Sequence, residues 1–297
     1  MRTLRLRGDF EPFLTIYRVT EICKLTRGFI MKKTLPFSFE FLYQIFSLII
    51  IIILVHAIYV AIIRPNADAF LAEQAALMEQ DSSHVTKQSA FVIIRDYEQE
   101  SCFILMLWAI AIMAYKAFSL NKHRVLLQLD LIPLAEGMRI LPEDTHDLSR
   151  QIQALPPAQK GALLPRVLLS ALQRFSSTRN IQDVSDSIHA YCDSDAERLD
   201  TELSMVRYIA WAIPSIGFIG TVRGIGQALG QAHKAVEGDI FGVTQSLGVA
   251  FNSTLIALLI SIVLMFLLYQ LQLLQERYVL DTEGYCEEKL TRQLYTR

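Results

Sequence analysis

The sequence predicts an all-α integral membrane protein with four transmembrane helices, a helical cytoplasmic loop and a helical extension after the last span. Three observations support this fold class. Hydrophobic residues make up 52% of the 297 residues, and the mean hydropathy is +0.32, as is typical of membrane proteins. Four apolar segments each approach or exceed the ~20 helical residues that cross a bilayer. Basic residues are concentrated in alternate connecting segments, as expected of a multi-pass chain.

The four predicted spans divide the chain into successive segments. The spans are 41–63, 102–120, 205–229 and 246–274. The segments between and around them are an N-terminal segment 1–40, a connection 64–101, a loop 121–204, a short loop 230–245 and a tail 275–297. The first span is longer than the apolar core of a signal peptide, which predicts that it is retained. An alternative start at Met31, which two lysines follow, remains open.

The orientation follows from the distribution of basic residues. The segments 1–40, 121–204 and 275–297 carry eight, nine and four Lys or Arg. The segments 64–101 and 230–245 carry three and one. Because basic segments stay in the cytoplasm, both termini and the large loop are predicted to be cytoplasmic, and the two less basic segments periplasmic.

The connections have helical patterns of their own. Asn66–Gln80 predicts a short amphipathic helix. Five prolines in the first half of the loop predict short or interrupted helices there, and Ile181–Tyr208 predicts a longer helix that continues into the third span. The mixed charges of that helix are typical of a solvated face, with a docking surface for a partner protein as the alternative. After Leu271–Arg277 the last span is expected to end in a charged tail.

Composition argues against several functional classes. The net charge of −2 does not favour nucleic-acid binding. The four cysteines, Cys23, Cys102, Cys192 and Cys286, are far apart and support neither a disulfide framework nor a zinc site. The sequence contains no P-loop, HExxH or GxSxG motif. It therefore predicts no enzymatic activity, cofactor or metal.

The last two spans carry stripes of small residues at steps of three and four, which places each stripe on one helical face. The members are Pro214, Gly217, Thr221, Gly224 and Ala228 in the third span, and Ala250, Thr254, Ala257 and Ser261 in the fourth, with Asn252 and Ser253 close by. Small residues let helices approach closely, and hydroxyls there hydrogen-bond across the contact. Two interpretations remain open: packing alone, or a polar seam that guides water or an ion. Pro214 also predicts a kink.

The predicted spans contain no Asp or Glu, and Asp96, Glu98 and Glu100 are expected to form a solvated helix start before the second span. A chain that carries protons by itself usually needs a titratable group in the membrane, so a conducting seam predicts that another polypeptide supplies the acid. Arg223 is charged and lies inside the third span; it is expected either to snorkel to the interface or to act as a gate or counter-charge. His56 in the first span is open to a packing role or a proton relay.

Two runs in the last spans carry a family resemblance. Ile213–Ile225, IPSIGFIGTVRGI, resembles the third-span signature of the MotA/TolQ/ExbB proton channel family. Leu247–Leu259, LGVAFNSTLIALL, resembles its last-span signature. The resemblance covers about 190–280, and the four-span arrangement is similar to MotA rather than to the three-span ExbB and TolQ branch. Two residues depart from the family pattern: Val249 stands where the ExbB and TolQ branch has a glutamate, and Arg223 stands where an apolar or aromatic residue is common.

The resemblance implies a homo-pentamer in the bacterial inner membrane, surrounded by lipid, around a dimer of a single-span protein of the MotB, ExbD or TolR type. The partner's transmembrane Asp would carry the ion, and the flow would drive motility, outer-membrane transport or envelope maintenance. The predicted function is thus a pore-forming stator subunit that moves H⁺ or Na⁺. The alternative is a non-conducting scaffold or receptor that packs by its small-residue faces.

Carried over by position, Thr221 and Thr254 match the family's pore-facing threonines, and Pro214 matches its proline. The predicted ion pathway consists of Thr221, Thr254, Ser253, Ser261 and Pro214. Arg223 is the predicted gate or counter-charge. The predicted helix-packing positions are Gly217, Gly220, Gly224, Ala250 and Ala257.

Overall fold

The computed structural model describes residues 39–80, 89–129, 131–132, 139–236, 238 and 240–295. The chain divides into two units, Met1–Phe46 and Ser47–Arg297. Of the first unit, the described residues 39–46 form the start of a helix. The segment 1–38, which contains Cys23 and the alternative start at Met31, lies outside the described residues.

Helices account for almost all of the described chain. They are α1 (Phe39–Ile58), α2 (Arg64–Gln80), α3 (Ala90–Ile93), α4 (Tyr97–Arg124), α5 (Thr145–Gln153), α6 (Pro157–Lys160), α7 (Leu163–Thr178), α8 (Ile181–Glu202), α9 (Ser204–Gly230), α10 (Ala232–Val236) and α11 (Phe241–Lys289). A π-helical turn at Tyr59–Ile63 joins α1 to α2, and 3-10 turns at Val125–Gln128 and Thr291–Gln293 follow α4 and α11.

Four helical segments are long and apolar enough to cross a membrane. They are Glu40–Gln74, Tyr97–Gln128, Ile181–Gly230 and Phe241–Gln293. The predicted fold class, an all-α membrane protein with four such helices, is confirmed. Each segment extends beyond the apolar run that identified it, because the helices continue into polar sequence at one or both ends.

The predicted helix at Asn66–Gln80 is present as α2, Arg64–Gln80, and the chain stays helical from α1 into it. Pro65 has no N–H to bond the carbonyl four residues earlier, which usually breaks a helix. The π-helical turn just before it accommodates the change, with the N–H of Arg64 bonded to the carbonyl of Tyr59. The side chain of Asn66 donates to the carbonyl of Ile62 at 2.7 Å.

Helices α4 and α9 and the N-terminal half of α11 pack together, and we call this group the span bundle. Its buried core consists of aliphatic and small side chains, among them Ile112, Val206, Ile213, Ala257 and Leu264. Large apolar side chains such as Phe218, Phe251 and Phe266 are exposed on the outside of the same helices. An apolar outer surface is the arrangement expected of helices that face lipid. Tyr59 and its neighbours on α1 pack against α4.

Helices α5 to α8 and the C-terminal half of α11 form a second core, and we call this part the loop domain. Its centre contains Leu164, Leu168, Phe175, Val184 and Cys286. The charged tail after the last span is part of this domain as far as the structure describes it, to Tyr295. Leu294 forms a β-bridge with Ile140, with the N–H of Ile140 bonded to the carbonyl of Gln293 at 2.8 Å and the N–H of Tyr295 to the carbonyl of Ile140 at 3.0 Å.

The predicted helix Ile181–Tyr208 is interrupted once, at Leu203, where α8 ends and α9 begins. Leu203 is buried in the core of the span bundle. The loop domain therefore continues into the span bundle along α8 and α9 and along the uninterrupted α11, and Leu120 of α4 also lies in its core.

Candidate functional site

Helices α9 and α11 approach each other closely along the two small-residue stripes. Gly217, Gly220 and Gly224 of α9 are buried against α11. A Cβ atom added to Gly224 would lie 2.7 Å from the backbone nitrogen of Ala250 and 2.8 Å from the carbonyl oxygen of Ser246. At Gly217 the added atom would meet the side chain of Ala257. The five residues predicted for packing thus meet at one contact, which we call the glycine contact.

Three hydroxyls lie beside the glycine contact, and we call them the hydroxyl seam. The hydroxyl oxygens of Thr221 and Thr254 are in hydrogen-bonding contact across the two helices. Each hydroxyl has one hydrogen, so one threonine donates to the other and the second donates to a carbonyl. Thr254 lies 3.0 Å from the carbonyl of Gly217, and Thr221 lies 3.1 Å from that of Ala250. Ser253 is buried and donates within α11 to the carbonyl of Ala250 at 2.9 Å. The two threonines are half-buried, so they form the more accessible edge of the seam.

The remaining predicted pathway residues, Pro214 and Ser261, lie outside the hydroxyl seam, and both act on one backbone carbonyl of α9. Pro214 lies inside α9 and has no N–H, so the carbonyl of Ala210, four residues earlier, loses its usual helical partner. The hydroxyl of Ser261 on α11 donates to this carbonyl at 3.3 Å. Neighbouring helices commonly satisfy backbone groups that a proline frees within a membrane. Ser261 therefore supports the helix at Pro214.

The expectation that Asp96, Glu98 and Glu100 form a solvated helix start is wrong. Arg223 of α9 donates to Glu98 at 2.8 Å and lies 3.8 Å from Asp96. Glu100 is only 6% exposed. Because these acids face arginines of neighbouring helices and their side chains are at most 13% exposed, they are enclosed rather than hydrated. Gly220 leaves room for this, since an added Cβ would lie 3.2 Å from Cγ of Glu98.

Glu100 is held from the side of α1 and α2. Its Oε1 lies 2.7 Å from Nδ1 of His56, and its Oε2 accepts a bond from Arg64 at 2.5 Å. The guanidinium of Arg64 lies 4.2 Å from the centre of the Tyr97 ring, a cation–π distance. His56 therefore has a specific acidic partner in this chain.

Asp96 precedes α4 and completes the group. Arg95 lies 3.9 Å from Asp96 and 3.3 Å from Asp68. Burial raises the pKa of Asp96, and the nearby Arg95 and Arg223 partly offset the effect. We call the whole group the charged cluster. Its members are Arg64, Arg95, Arg223, Asp68, Asp96, Glu98 and Glu100.

An ion pair joins α4 to α8 at the other end of the span bundle, away from the charged cluster. Lys116, whose side chain is 7% exposed, lies 2.6 Å from Glu202 at the end of α8. Arg198 also donates to Glu202, at 3.1 Å. Long basic side chains at the end of an apolar helix often extend to the surface, but Lys116 is instead buried against its acidic partner. The bundle thus has charged contacts at both ends and hydroxyls between them.

The sequence did not reveal the charged cluster or the role of Ser261. A usable signal was present, because Arg64 and Arg223 each lie at the edge of an apolar segment and need a counter-charge. The acids closest to the edge of another span were Asp96, Glu98 and Glu100. A search for oppositely charged residues at the edges of different spans would have paired these arginines with these acids.

Comparison with known protein families gives one match. Residues 159–283, a segment that makes up less than half of the chain, match the model of the MotA/TolQ/ExbB proton channel family. The match runs from α6 to α11, and it includes the glycine contact and the hydroxyl seam. It begins earlier than the resemblance at about 190, so α7 of the loop domain is part of the matched segment. No curated protein and no solved structure matches the chain. The predicted resemblance is confirmed over residues 159–283.

Proposed function

We propose that this chain is the pore-forming subunit of an ion-driven machine, in which the hydroxyl seam faces the ion path and a partner protein carries the ion-binding acid. The observation that supports the proposal most directly is the contact between Thr221 and Thr254 across α9 and α11. Both residues lie in the segment that matches the proton channel family, and both are half-buried rather than enclosed.

The hydroxyls of the seam can line an ion path, but they cannot bind and release the ion's charge themselves. Threonine hydroxyls donate and accept hydrogen bonds but do not change charge at physiological pH. The described residues of α9 and α11 place no acid beside the seam, and Glu98 of α4, which reaches Gly220, is paired with Arg223. A carrier with one carboxylate on a single-span partner would complete the path. One charge that crosses 100 mV releases about 2.3 kcal/mol, which is enough to rearrange a modest protein contact over several transfers.

The proposed assembly places the chain in the bacterial inner membrane with both termini and the loop domain in the cytoplasm. The charged cluster then lies toward the periplasm, and the pair of Lys116 and Glu202 toward the cytoplasm. Five copies surround two copies of a single-span partner of the MotB, ExbD or TolR type. The proton is the proposed ion, and sodium is the alternative that the flux assay separates.

The test is ion flux through the purified assembly in liposomes that contain a pH-sensitive dye, with a membrane potential imposed by potassium and valinomycin. The tagged chain is purified from its native host so that the partner is retained and identified by mass spectrometry. We expect Thr254→Val to slow proton flux by at least about tenfold, since a lost hydrogen bond of about 1.4 kcal/mol has that effect on a rate. The assembly should remain intact on size exclusion.

Thr244→Val is the matched control. Thr244 also lies on α11, but its hydroxyl bonds carbonyls of its own helix turn, at 3.1 Å to Ile240 and 2.9 Å to Phe241. It should therefore leave the flux unchanged. The proposal is wrong if the chain alone, without a partner, conducts briskly and selectively and the paired change at Thr221 and Thr254 has no effect.

A non-conducting scaffold is the second candidate function, and one observation favours it. Each threonine hydroxyl lies within hydrogen-bonding distance of a backbone carbonyl across the glycine contact, and the two hydroxyls contact each other, so helix packing alone accounts for them. A scaffold predicts no partner-dependent flux at all. In that case Thr254→Val would alter only the thermal stability of the chain.

A further inference from the structure

We propose that a cavity of about 230 Å³ between α2, α3 and the N-terminal end of α11 binds a zwitterionic phospholipid, one whose headgroup carries a phosphate and a primary amine. We call this cavity the edge pocket. The proposal goes beyond the pore function, because it assigns a lipid site to a part of the chain that lies outside the hydroxyl seam and the glycine contact.

The walls of the edge pocket are mainly apolar. Phe70 of α2, Val92 of α3, and Phe241 and Val249 of α11 contribute to them. Gly248 also lines the pocket, and a Cβ atom added there would meet no atom within 4 Å. An apolar cavity of about 150 Å³ is enough to hold a benzene molecule. The edge pocket therefore has room for a ligand with more non-hydrogen atoms than benzene.

The edge pocket lies where the apolar part of α11 begins. Its residues on this helix run from Phe241 to Asn252, and the apolar span recognised in the sequence starts at 246. In a membrane this level is the boundary between the hydrocarbon and the headgroup region. A ligand at this boundary is expected to have both an apolar and a polar part.

An exposed apolar face of α11 continues from the pocket along the membrane-spanning part of the helix. From Gly248, steps of three and four residues lead to Phe251, Leu255, Leu259 and Ile262, which therefore share one helical face. Their side chains are 68%, 51%, 52% and 68% exposed. An acyl chain that begins in the edge pocket can lie along this face, whereas a water-soluble ligand would not use it.

A pair of opposite charges at the pocket complements the proposed headgroup. Arg95 lines the pocket and donates to Asp68 at 3.3 Å, and it lies 3.9 Å from Asp96, which is too far for a hydrogen bond. Since a guanidinium has five N–H donors, Arg95 keeps several of them for a phosphate, as far as the described residues show. The side chain of Asp68 is 68% exposed, so its carboxylate is accessible to the amine.

The experiment is native mass spectrometry of the purified full-length chain, with any partner that it retains, after delipidation in detergent. Phosphatidylethanolamine or phosphatidylglycerol with the same acyl chains is then added, and the tightest-bound lipid is quantified. We expect phosphatidylethanolamine to bind at least about threefold more tightly. Arg95→Gln should weaken its binding at least about tenfold, because a hydrogen bond to a charged group is lost.

Asp68→Asn tests the recognition of the amine. It should remove the preference for phosphatidylethanolamine and leave the binding of phosphatidylglycerol unchanged, since only the first lipid has an ammonium for the carboxylate of Asp68. Glycerophosphoethanolamine, the same headgroup without acyl chains, should bind at least about a hundredfold more weakly than the lipid, because each buried methylene favours binding.

Gly248→Leu fills the edge pocket and should weaken phosphatidylethanolamine binding at least about tenfold. Gly226→Leu on α9 is the matched control, because a Cβ atom added to Gly226 also meets no atom within 4 Å and Gly226 does not line the pocket. It should leave the binding unchanged. If Gly248→Leu does not fold, Gly248→Val replaces it, with a smaller loss of binding in the same direction.

Three results would overturn the proposal: unchanged lipid binding in the folded Gly248 variant, equal affinity for the two lipids, or equal affinity for the lipid and its free headgroup. It is also overturned if Gly248→Leu releases a protein chain from the assembly and leaves the bound lipid unchanged, since the edge pocket would then be a protein contact. Because ion flux is not measured, failure here leaves the proposed pore function standing.

Discussion

The span bundle and the loop domain share helix α11 but pack against it in different ways. In the span bundle, α11 meets α9 through glycine, alanine and hydroxyl groups that bring two backbones close together. In the loop domain, the same helix contributes Tyr278 to a core that contains the fully buried side chains of Phe175 and Leu172. The solvent proposed for each part explains the difference. Lipid provides no hydrophobic drive between helices, so close contact and hydrogen bonds must hold them, whereas in water the burial of large apolar groups is sufficient.

The largest expected effect tests the loop-domain side of this comparison. Phe175→Ala should remove about 3–5 kcal/mol of stability, because Phe175 is completely buried and the change leaves a cavity. Gln173→Ala, two residues earlier on the exposed face of α7, should change stability by less than about 0.5 kcal/mol. Chemical unfolding of the purified chain in detergent measures both. Equal stability of the two variants would mean that large side chains do not hold this domain together.

The second effect tests the glycine contact. Gly224→Ala places a Cβ 2.8 Å from that of Ala250, so α9 and α11 must separate, at a cost of about 1–3 kcal/mol. Gly226→Ala is the matched control on the same helix, because its added Cβ meets no atom within 4 Å. The midpoint of thermal unfolding, followed by size exclusion, should fall for the first variant alone. A similar midpoint for both would contradict the close approach of these helices.

The smallest expected effect concerns the chemical labelling of the native cysteines, which measures the opening of the span bundle and of the loop domain separately. Cys102 is buried in the span bundle, and Cys192 and Cys286 are buried in the loop domain. Burial raises the pKa of Cys192 to about 12, so very little reactive thiolate is present at pH 8. In a Cys23→Ser background, N-ethylmaleimide should therefore label the folded protein at least about a hundredfold more slowly than the unfolded chain.

Labelling rates measured in the Gly224→Ala and Phe175→Ala variants compare the opening of the span bundle with that of the loop domain. Gly224→Ala should speed the labelling of Cys102, whose Sγ lies 3.8 Å from the carbonyl of Ile213 on α9, and leave that of Cys192 unchanged. Phe175→Ala should do the opposite. If both variants speed all three thiols equally, the two parts unfold as one cooperative unit.

The sequence predicted the parts of this fold that depend on neighbouring residues along the chain. Span length and apolarity are local properties, and the steps of three and four placed Gly217 and Gly224 on one face of a helix. These features needed no knowledge of which helices are adjacent.

The parts that the sequence did not predict depend on distant residues. Arg223 and Glu98 are 125 positions apart and belong to different helices. The assumption that a charged residue at the end of a span is solvated is therefore wrong for both. Ser261 and Ala210 are similarly remote, and their bond matters only because Pro214 removes a donor. The β-bridge of Ile140 with Leu294 also joins distant positions. Such contacts require the helix arrangement as well as the pattern.

Helix α11 runs without interruption for 49 residues, from Phe241 to Lys289. At about 1.5 Å per residue it is a rod of roughly 73 Å. A tilt of about five degrees around one end moves the other end by about 6 Å, on the scale of one helical turn. If the helix tilts as a rigid rod, a small angular displacement beside the glycine contact becomes a larger displacement at the far end of the loop domain.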